Sequence, residues 1–437
     1  MAPRLFNATL TNSLGEPTNI HWHGLQVEAR QDGHPSATTA NGQSFPYRFT
    51  ALNRAGMYWY HPHAEGTTAK QAYNGLAGLF IIEDEEELAL QKALDLHLGV
   101  TDIPLVLQDK QFAADGKLVY SPQAMDQQMG FLGDVPLVNL TPSPYLNVQT
   151  RLYRFRILNG SNARTFRLAF VKGGQLVPYT VIGTDGGLLE RPVKATEVFI
   201  SSGERVDLLL DLRAAAGGDT LIMQSLVFDA MDNETTGMGN TGGMGNMGNM
   251  GNAGGMSAAK LPNGQALSLM KIAITERVAY DRAIPQRLST IAPIGTAGAT
   301  ARPISLTQTM MPMQWLINDT SYKANESPIA VRRGATEIWE IQNAQMSMPH
   351  PMHIHSFQFQ VIERKNSPQQ VAALALDGHG RLVTDLGWKD TVLVWPNEKV
   401  RIALDFTHPF TGEQKYVFHC HILEHEENGM MVNVNVA

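Results

Sequence analysis

A chain of 437 residues exceeds one ordinary domain and suits about two to four, and its 43% hydrophobic content supplies material for real cores. The 34 Lys and Arg stand against 41 Asp and Glu with no basic run, so the electrostatic footprint of a nucleic-acid binder is missing. No apolar stretch approaches the roughly 20 residues that a membrane helix needs, and Met1-Ala2-Pro3-Arg4 has no hydrophobic run of the secretory-signal kind.

In chain order, short runs rich in Val, Ile, Leu, Phe and Thr fall at 79–82, 105–107, 153–158, 206–210 and 392–395. Their spacing between Gly, Pro and Asn turns indicates β-sandwiches rather than helices or strand–helix–strand units. The best helix candidate is 85–98, with Leu88, Leu90, Leu94 and Leu98, and it reads as a connector after a first domain. The acidic run 84–87 at its head reads as a solvated domain edge. A second seam lies near 278–300, where Pro285, Pro293, Gly295 and Gly298 punctuate a polar, Ala-rich stretch. The expected organisation is all-β, in three domains at 1–98, 99–277 and 278–437.

Residues 237–256 contain only Gly, Met, Asn, Thr and Ala, with Met238, Met244, Met247, Met250 and Met256 among nine glycines. Such a tract cannot bury enough surface to fold alone. A plain flexible loop and a copper-related role both stay open, because repeated thioethers are soft ligands suited to Cu(I).

Ten of the 14 histidines fall in four short clusters: His21-Trp22-His23-Gly24, His61-Pro62-His63, His350-Pro351-Met352-His353-Ile354-His355 and His419-Cys420-His421-Ile422-Leu423-Glu424-His425. Each contains two histidines separated by one residue, and on a strand that spacing puts both imidazoles on one face. Four such pairs, split between the two ends of the chain, point to a shared metal site of eight imidazoles. The remaining His34, His97, His379 and His408 read as structural or surface residues.

Imidazole does not choose among copper, zinc, iron and nickel, but Cys420, the one cysteine, does. Its side chain must face away from His419 and His421. His425 follows five residues on, Met430 five beyond that, and His350 lies upstream. A thiolate, two imidazoles and a weak axial thioether are the donor set of blue-copper electron transfer, whereas zinc prefers four strong tetrahedral ligands. An electron entering at Cys420 has only one peptide unit to cross toward His419 or His421, on the order of 10 Å between sites. A one-electron entry site wired to an eight-histidine cluster suits dioxygen as acceptor.

These motifs, HWHG, HPH, HPMHIH and HCHILEHEENGMM, resemble the four copper motifs of the multicopper oxidase family, in order and across nearly the whole chain. The resemblance implies three cupredoxin-like Greek-key β-sandwich domains, the first of them without its opening strands here. It also implies four copper ions, one type 1, one type 2 and two type 3. By position, type 1 copper would take His350, Cys420, His425 and axial Met430, and type 2 would take His21 and His353. One type 3 copper would take His23, His61 and His421, and the other His63, His355 and His419. Asp32 and Glu426 match the family's acids for proton delivery.

The look is that of bacterial three-domain laccases and copper-tolerance oxidases, with GLAGLFIIED at 75–84 and GWKDTV at 387–392. The partners implied are dioxygen and a reductant, either a small phenol or aromatic amine or Cu(I), in the periplasm or outside the cell. The copper-efflux branch carries an acid where this chain has Met346, although Met348 matches a soft residue near the entry copper. Three functions therefore stay open: a laccase-like oxidase, a cuprous oxidase, and a non-catalytic copper-binding protein.

Overall fold

The computed structural model describes residues 5–231, 261–311 and 313–437, so the Met/Gly tract at 237–256 lies outside the described residues. Among the described residues, six sheets form three pairs, each packed around a shared core. The first pair joins Leu5–Thr11 with Ser44–Thr50, and His21–His23 with Gly56–His61 and Gly78–Ile82. Trp22, Tyr47, Phe49 and Tyr58 fill the space between its sheets. The second pair has seven and six strands between residues 102 and 276, and the third has two five-stranded sheets between 300 and 436.

Side-chain alternation explains the pairing of layers. Strands with one wet face alternate, as in Leu267–Glu276, where Leu267, Leu269, Ile272 and Ile274 are buried and Ser268 and Lys271 are exposed. Strand Thr391–Val394 is instead buried throughout. Val392 and Val394 enter the core of the third sandwich, while Leu393 and Trp395 pack with Phe199 and Phe228 of the second. That strand is the seam between the two, and full burial of each such side chain contributes about 1.5–3 kcal/mol.

Each of the five apolar runs lies in a strand: Gly78–Ile82, Asp102–Lys110, Leu152–Asn159, Arg205–Asp211 and Thr391–Val394, with Trp395 just past the last. The connector helix is shorter than expected, Glu85–Leu94. Asp84 caps it by accepting from the Glu87 N–H at 2.9 Å, and Asp95 ends it in the left-handed conformation at φ 50°. Beyond that point the N–H groups of Thr101 and Asp102 turn back onto the His97 carbonyl, which leaves Leu98 exposed.

The acidic run is a solvated edge only in part, with Glu85 exposed and Asp84 and Glu86 half-buried. Glu87 is fully buried, where it meets Arg154 and, at 2.7 Å, Arg156. Burial pushes its carboxyl up, but the two guanidinium groups outweigh that and hold it at about 2. Asp102 and Asp207 complete the network, 2.6 Å from Arg156 and 2.5 Å from Arg154.

Candidate metal centre

Two strand pairs from opposite ends of the chain build the site. His21–His23 runs antiparallel to Gly56–His61 with His21 opposite His61. His350–Ile354 runs antiparallel to Gln414–Cys420 with His353 opposite His419 and Met352 opposite Cys420. Because the side-chain period is two, both members of each histidine pair face the same way. All eight imidazoles are fully or almost fully buried.

Their nitrogens converge in three groups. The Nε2 atoms of His21 and His353 lie 3.3 Å apart. His63, His355 and His419 bring three Nε2 atoms together at 3.2–3.3 Å. His23 Nδ1 faces His61 Nε2 at 3.4 Å, and the His421 ring stands beside both, with centroids 4.9 Å from His23 and 5.2 Å from His61.

The opposite nitrogen of seven of these rings is tied down. His21 Nδ1 donates to the Asp32 carbonyl at 2.9 Å, His355 Nδ1 to the Asp32 carboxylate at 2.7 Å, and His353 Nδ1 to the Asp390 carbonyl at 2.8 Å. His61 and His419 donate to the Pro62 and Cys420 carbonyls at 2.9 and 3.0 Å. His23 is reversed: its Nε2 donates to Asp390 at 3.0 Å and its Nδ1 faces inward. His421 Nδ1 meets the Ser202 hydroxyl at 3.1 Å. His63 Nδ1 is looser, 3.4 Å from Glu426 Oε1.

Cys420 points to the other side of its strand, into the core of the third sandwich. Its Sγ lies 3.5 Å from His350 Nδ1 and 3.6 Å from His425 Nδ1. His350 Nε2 meets the Ser347 hydroxyl at 3.2 Å, and His425 Nε2 donates to the Gln128 carbonyl at 2.7 Å. Met430 is fully buried in the same core, and its carbonyl accepts the Cys420 N–H at 3.0 Å. Trp315 leans on both imidazoles, at 4.8 and 5.5 Å between ring centroids.

This arrangement fits metal ions. Where the outer nitrogen donates to a fixed acceptor, only lone pairs face one another across 3.2–3.4 Å inside the cluster. His421 Nε2 has no hydrogen-bond partner among the described residues. Burial lowers His23, His61, His63, His350, His353, His355 and His421, and takes His419 and His425 to about 3, which favours the neutral, metal-binding form of these rings. Burial likewise raises the Cys420 thiol, so metal binding there must displace a proton.

Residues 6–87 and 297–437 each match a family model described as multicopper oxidase. A multicopper oxidase of Staphylococcus epidermidis is 31% identical over 98% of this chain and 78% of its own length. The chain belongs to the multicopper oxidase family. A laccase of Bacillus subtilis is 32% identical, across 96% of this chain and 80% of that one. The solved structure of a multicopper oxidase from Aquifex aeolicus superposes with a TM-score of 0.86 at 41% identity, covering 99% of this chain and 87% of its own. This multicopper oxidase is accordingly a copper-dependent oxidoreductase with dioxygen as acceptor. No helix among its described residues is long and apolar enough to cross a membrane.

Asp32 and Glu426, singled out in the sequence, both touch the imidazole shell. Asp32 also approaches His21 Nδ1 at 3.3 Å through its carboxylate, and Glu426 Oε2 lies 3.3 Å from His419 Nδ1. The four outlying histidines stay away from the cluster; His34 is buried against Asn433 at 2.9 Å, His408 stacks on Phe410, and His97 and His379 are exposed. Sequence reasoning missed Asp390, Ser202 and Gln128. Asp390 sits inside the quoted GWKDTV, but nothing in its spacing marks it as a partner of His23.

Proposed function

We propose that this multicopper oxidase is laccase-like, taking single electrons from phenols or aromatic amines and reducing dioxygen to water with four copper ions. His350, Cys420, His425 and Met430 would hold type 1 copper, and His21 and His353 type 2. His23, His61 and His421 would hold one type 3 copper, and His63, His355 and His419 the other. Copper, when bound, supplies one-electron redox chemistry at the first site and multi-electron reduction of dioxygen at the other three.

The observation that carries this reading is the strand Gln414–Cys420 with its next residue. His419 and His421 face the eight-imidazole cluster while Cys420, between them, faces His350 and His425 at 3.5 and 3.6 Å. The covalent chain thus joins two donor sets through one peptide unit on either side, which a protein that merely stores copper has no need of. Around the cluster, Asp32 and Glu426 serve proton delivery. Burial raises the Glu426 carboxyl well above the usual range, which favours the protonated form that a proton donor needs. It also lines a cleft of about 300 Å³ with Glu65, Glu427 and Tyr322, from which it can be resupplied.

A second reading, cuprous oxidase, is favoured by the cover over the entry site. His350 and His425 are fully buried, and the Gln128 carbonyl of helix Ala124–Met129 occupies the His425 Nε2–H. A phenol therefore has no imidazole edge to bond, while the thioethers of Met129, Met231 and Met313 pack against the same core. Periplasmic or secreted placement remains part of the proposal. Steady-state turnover of the copper-loaded protein with a phenol and with Cu(I) separates the readings: laccase-like activity predicts the higher kcat/KM for the phenol, and cuprous oxidation the reverse. Absence of oxygen consumption with either reductant would sink both.

A further inference from the structure

One side of the cluster is packed by a turn that supplies no imidazole. Residues 201–205 join strand Glu197–Ile200 to strand Arg205–Asp211 in the second sandwich. The turn is locked on itself: Ser201 N–H and hydroxyl both donate to Glu204 Oε2 at 2.8 and 2.7 Å, and Gly203 N–H donates to the Asn159 carbonyl at 2.9 Å. Lys389 holds Glu204 and Asp185 from the third sandwich, at 3.0 and 2.9 Å.

Ser202 has one hydroxyl proton, and it goes to the Ser161 carbonyl at 2.5 Å. Toward His421 Nδ1, 3.1 Å away, the same oxygen can then only accept. That fixes the proton of His421 on Nδ1 and turns a bare Nε2 inward. Gly203 has φ +87°, and a Cβ there would stand 3.0 Å from the His421 ring and 3.1 Å from His23 Cε1. Its missing side chain lets the backbone lie against both rings.

Arg205 acts one residue further out. Its guanidinium grips Asp390 in two places, at 2.8 and 2.6 Å, and is itself held by the carbonyls of Met57, Asp185 and Gly203 at 3.0–3.1 Å. Asp390 so fixed accepts from His23 Nε2 at 3.0 Å, which is why His23 alone turns Nδ1 inward.

We propose that the turn at 201–205 of the second sandwich decides which nitrogen His421 and His23 present to their shared copper, with Ser202 and Arg205 as positioning residues. The inference rests on the ligand assignment above. Two imidazoles of one three-histidine set thereby depend on a part of the chain outside both ligand-bearing sandwiches, and copper retention at that set is coupled to how the second sandwich docks.

The test compares wild type, Ser202→Ala and Ser202→Thr as full chains loaded with Cu(II), by copper content, type 1 blue absorption, type 3 near-ultraviolet absorption and reoxidation by dioxygen after reduction. Ser202→Ala is expected to keep the blue absorption while losing type 3 absorption and copper, with reoxidation slowed roughly 10–100-fold, the usual loss for an outer partner of a metal ligand. Ser202→Thr, which keeps the hydroxyl, should recover most of it. A Ser202→Ala protein that equals a fully loaded wild type in all four measurements overturns the inference. So does equal loss of type 1 and type 3 signals, which would mean general loosening of the fold. A wild type that takes up no copper beyond the Cys420 site instead sinks the assignment on which the inference stands.

Discussion

His21 and His353 are 332 residues apart in sequence, yet their Nε2 atoms meet at 3.3 Å with the opposite nitrogen of each held by a main-chain carbonyl. One comes from the first sandwich and the other from the third, so the cluster exists only when those two have docked. Metal bound at this point, as proposed, would therefore also clasp the two sandwiches together. Replacing His353 with Gln should remove the type 2 paramagnetic signal and nearly all oxygen consumption while leaving the blue absorption. A His353→Gln protein with an intact type 2 signal would contradict the pairing of these two residues.

Asp32 bonds His355 at 2.7 Å and approaches His21 at 3.3 Å, so on the proposed reading its carboxyl group lies where protons arrive during dioxygen reduction. Asp32→Asn keeps the shape and removes the base. Stopped-flow kinetics should show reoxidation by dioxygen slowed about 10–100-fold, with reduction of the blue site by the reductant little changed. Equal slowing of both half-reactions would assign Asp32 to structure alone.

Acid should destabilise the copper-free protein. Burial lowers His419 and His425 to about 3, against 6.5 for an ordinary histidine. Between those values the unfolded chain binds protons that the folded chain refuses, so this stability is complete above about 6.5 and is lost as pH falls toward 3. Each such imidazole contributes a slope of about 1.4 kcal/mol per pH unit, and His23, His61, His63, His350, His353, His355 and His421 shift the same way. Urea unfolding of chelator-treated protein across that range measures it, and a flat profile below 6.5 would contradict the buried neutral imidazoles.

Glu87 offers a test away from copper. Glu87→Gln leaves Arg154 and Arg156 buried with less compensating charge, at a cost of about 3 kcal/mol, the low end for a broken buried pair because Asp102 and Asp207 remain. Calorimetry should show the melting transition several degrees lower. An unchanged transition would mean that the network relaxes around the loss.

Much of the metal centre was legible because its geometry is local. A histidine pair spaced by two on a strand must share a face, and Cys420 between His419 and His421 must take the other; the long-range convergence then follows from the family pattern. The outer partners were not legible. Ser202, Arg205, Gln128 and Asp390 act across distances of 185 to 367 residues, through single hydrogen bonds that leave no periodic trace. The same holds for Glu87, whose place in an acidic run suggests solvent while Arg154 and Arg156 bury it. The helix end was missed for a local reason: Leu98 continues the apolar spacing, but Asp95 has already turned the chain left-handed.

The central claim is that Cys420 joins a blue electron-entry site to a three-copper cluster. Copper analysis and absorption spectra of the loaded wild type and of Cys420→Ser, side by side, test it most directly. The account predicts about four coppers and an intense blue band in the wild type. In Cys420→Ser it predicts loss of the band, of about one copper and of activity, with the type 2 signal retained. A fully loaded wild type without the blue band, or a Cys420→Ser protein that keeps it, would contradict the account.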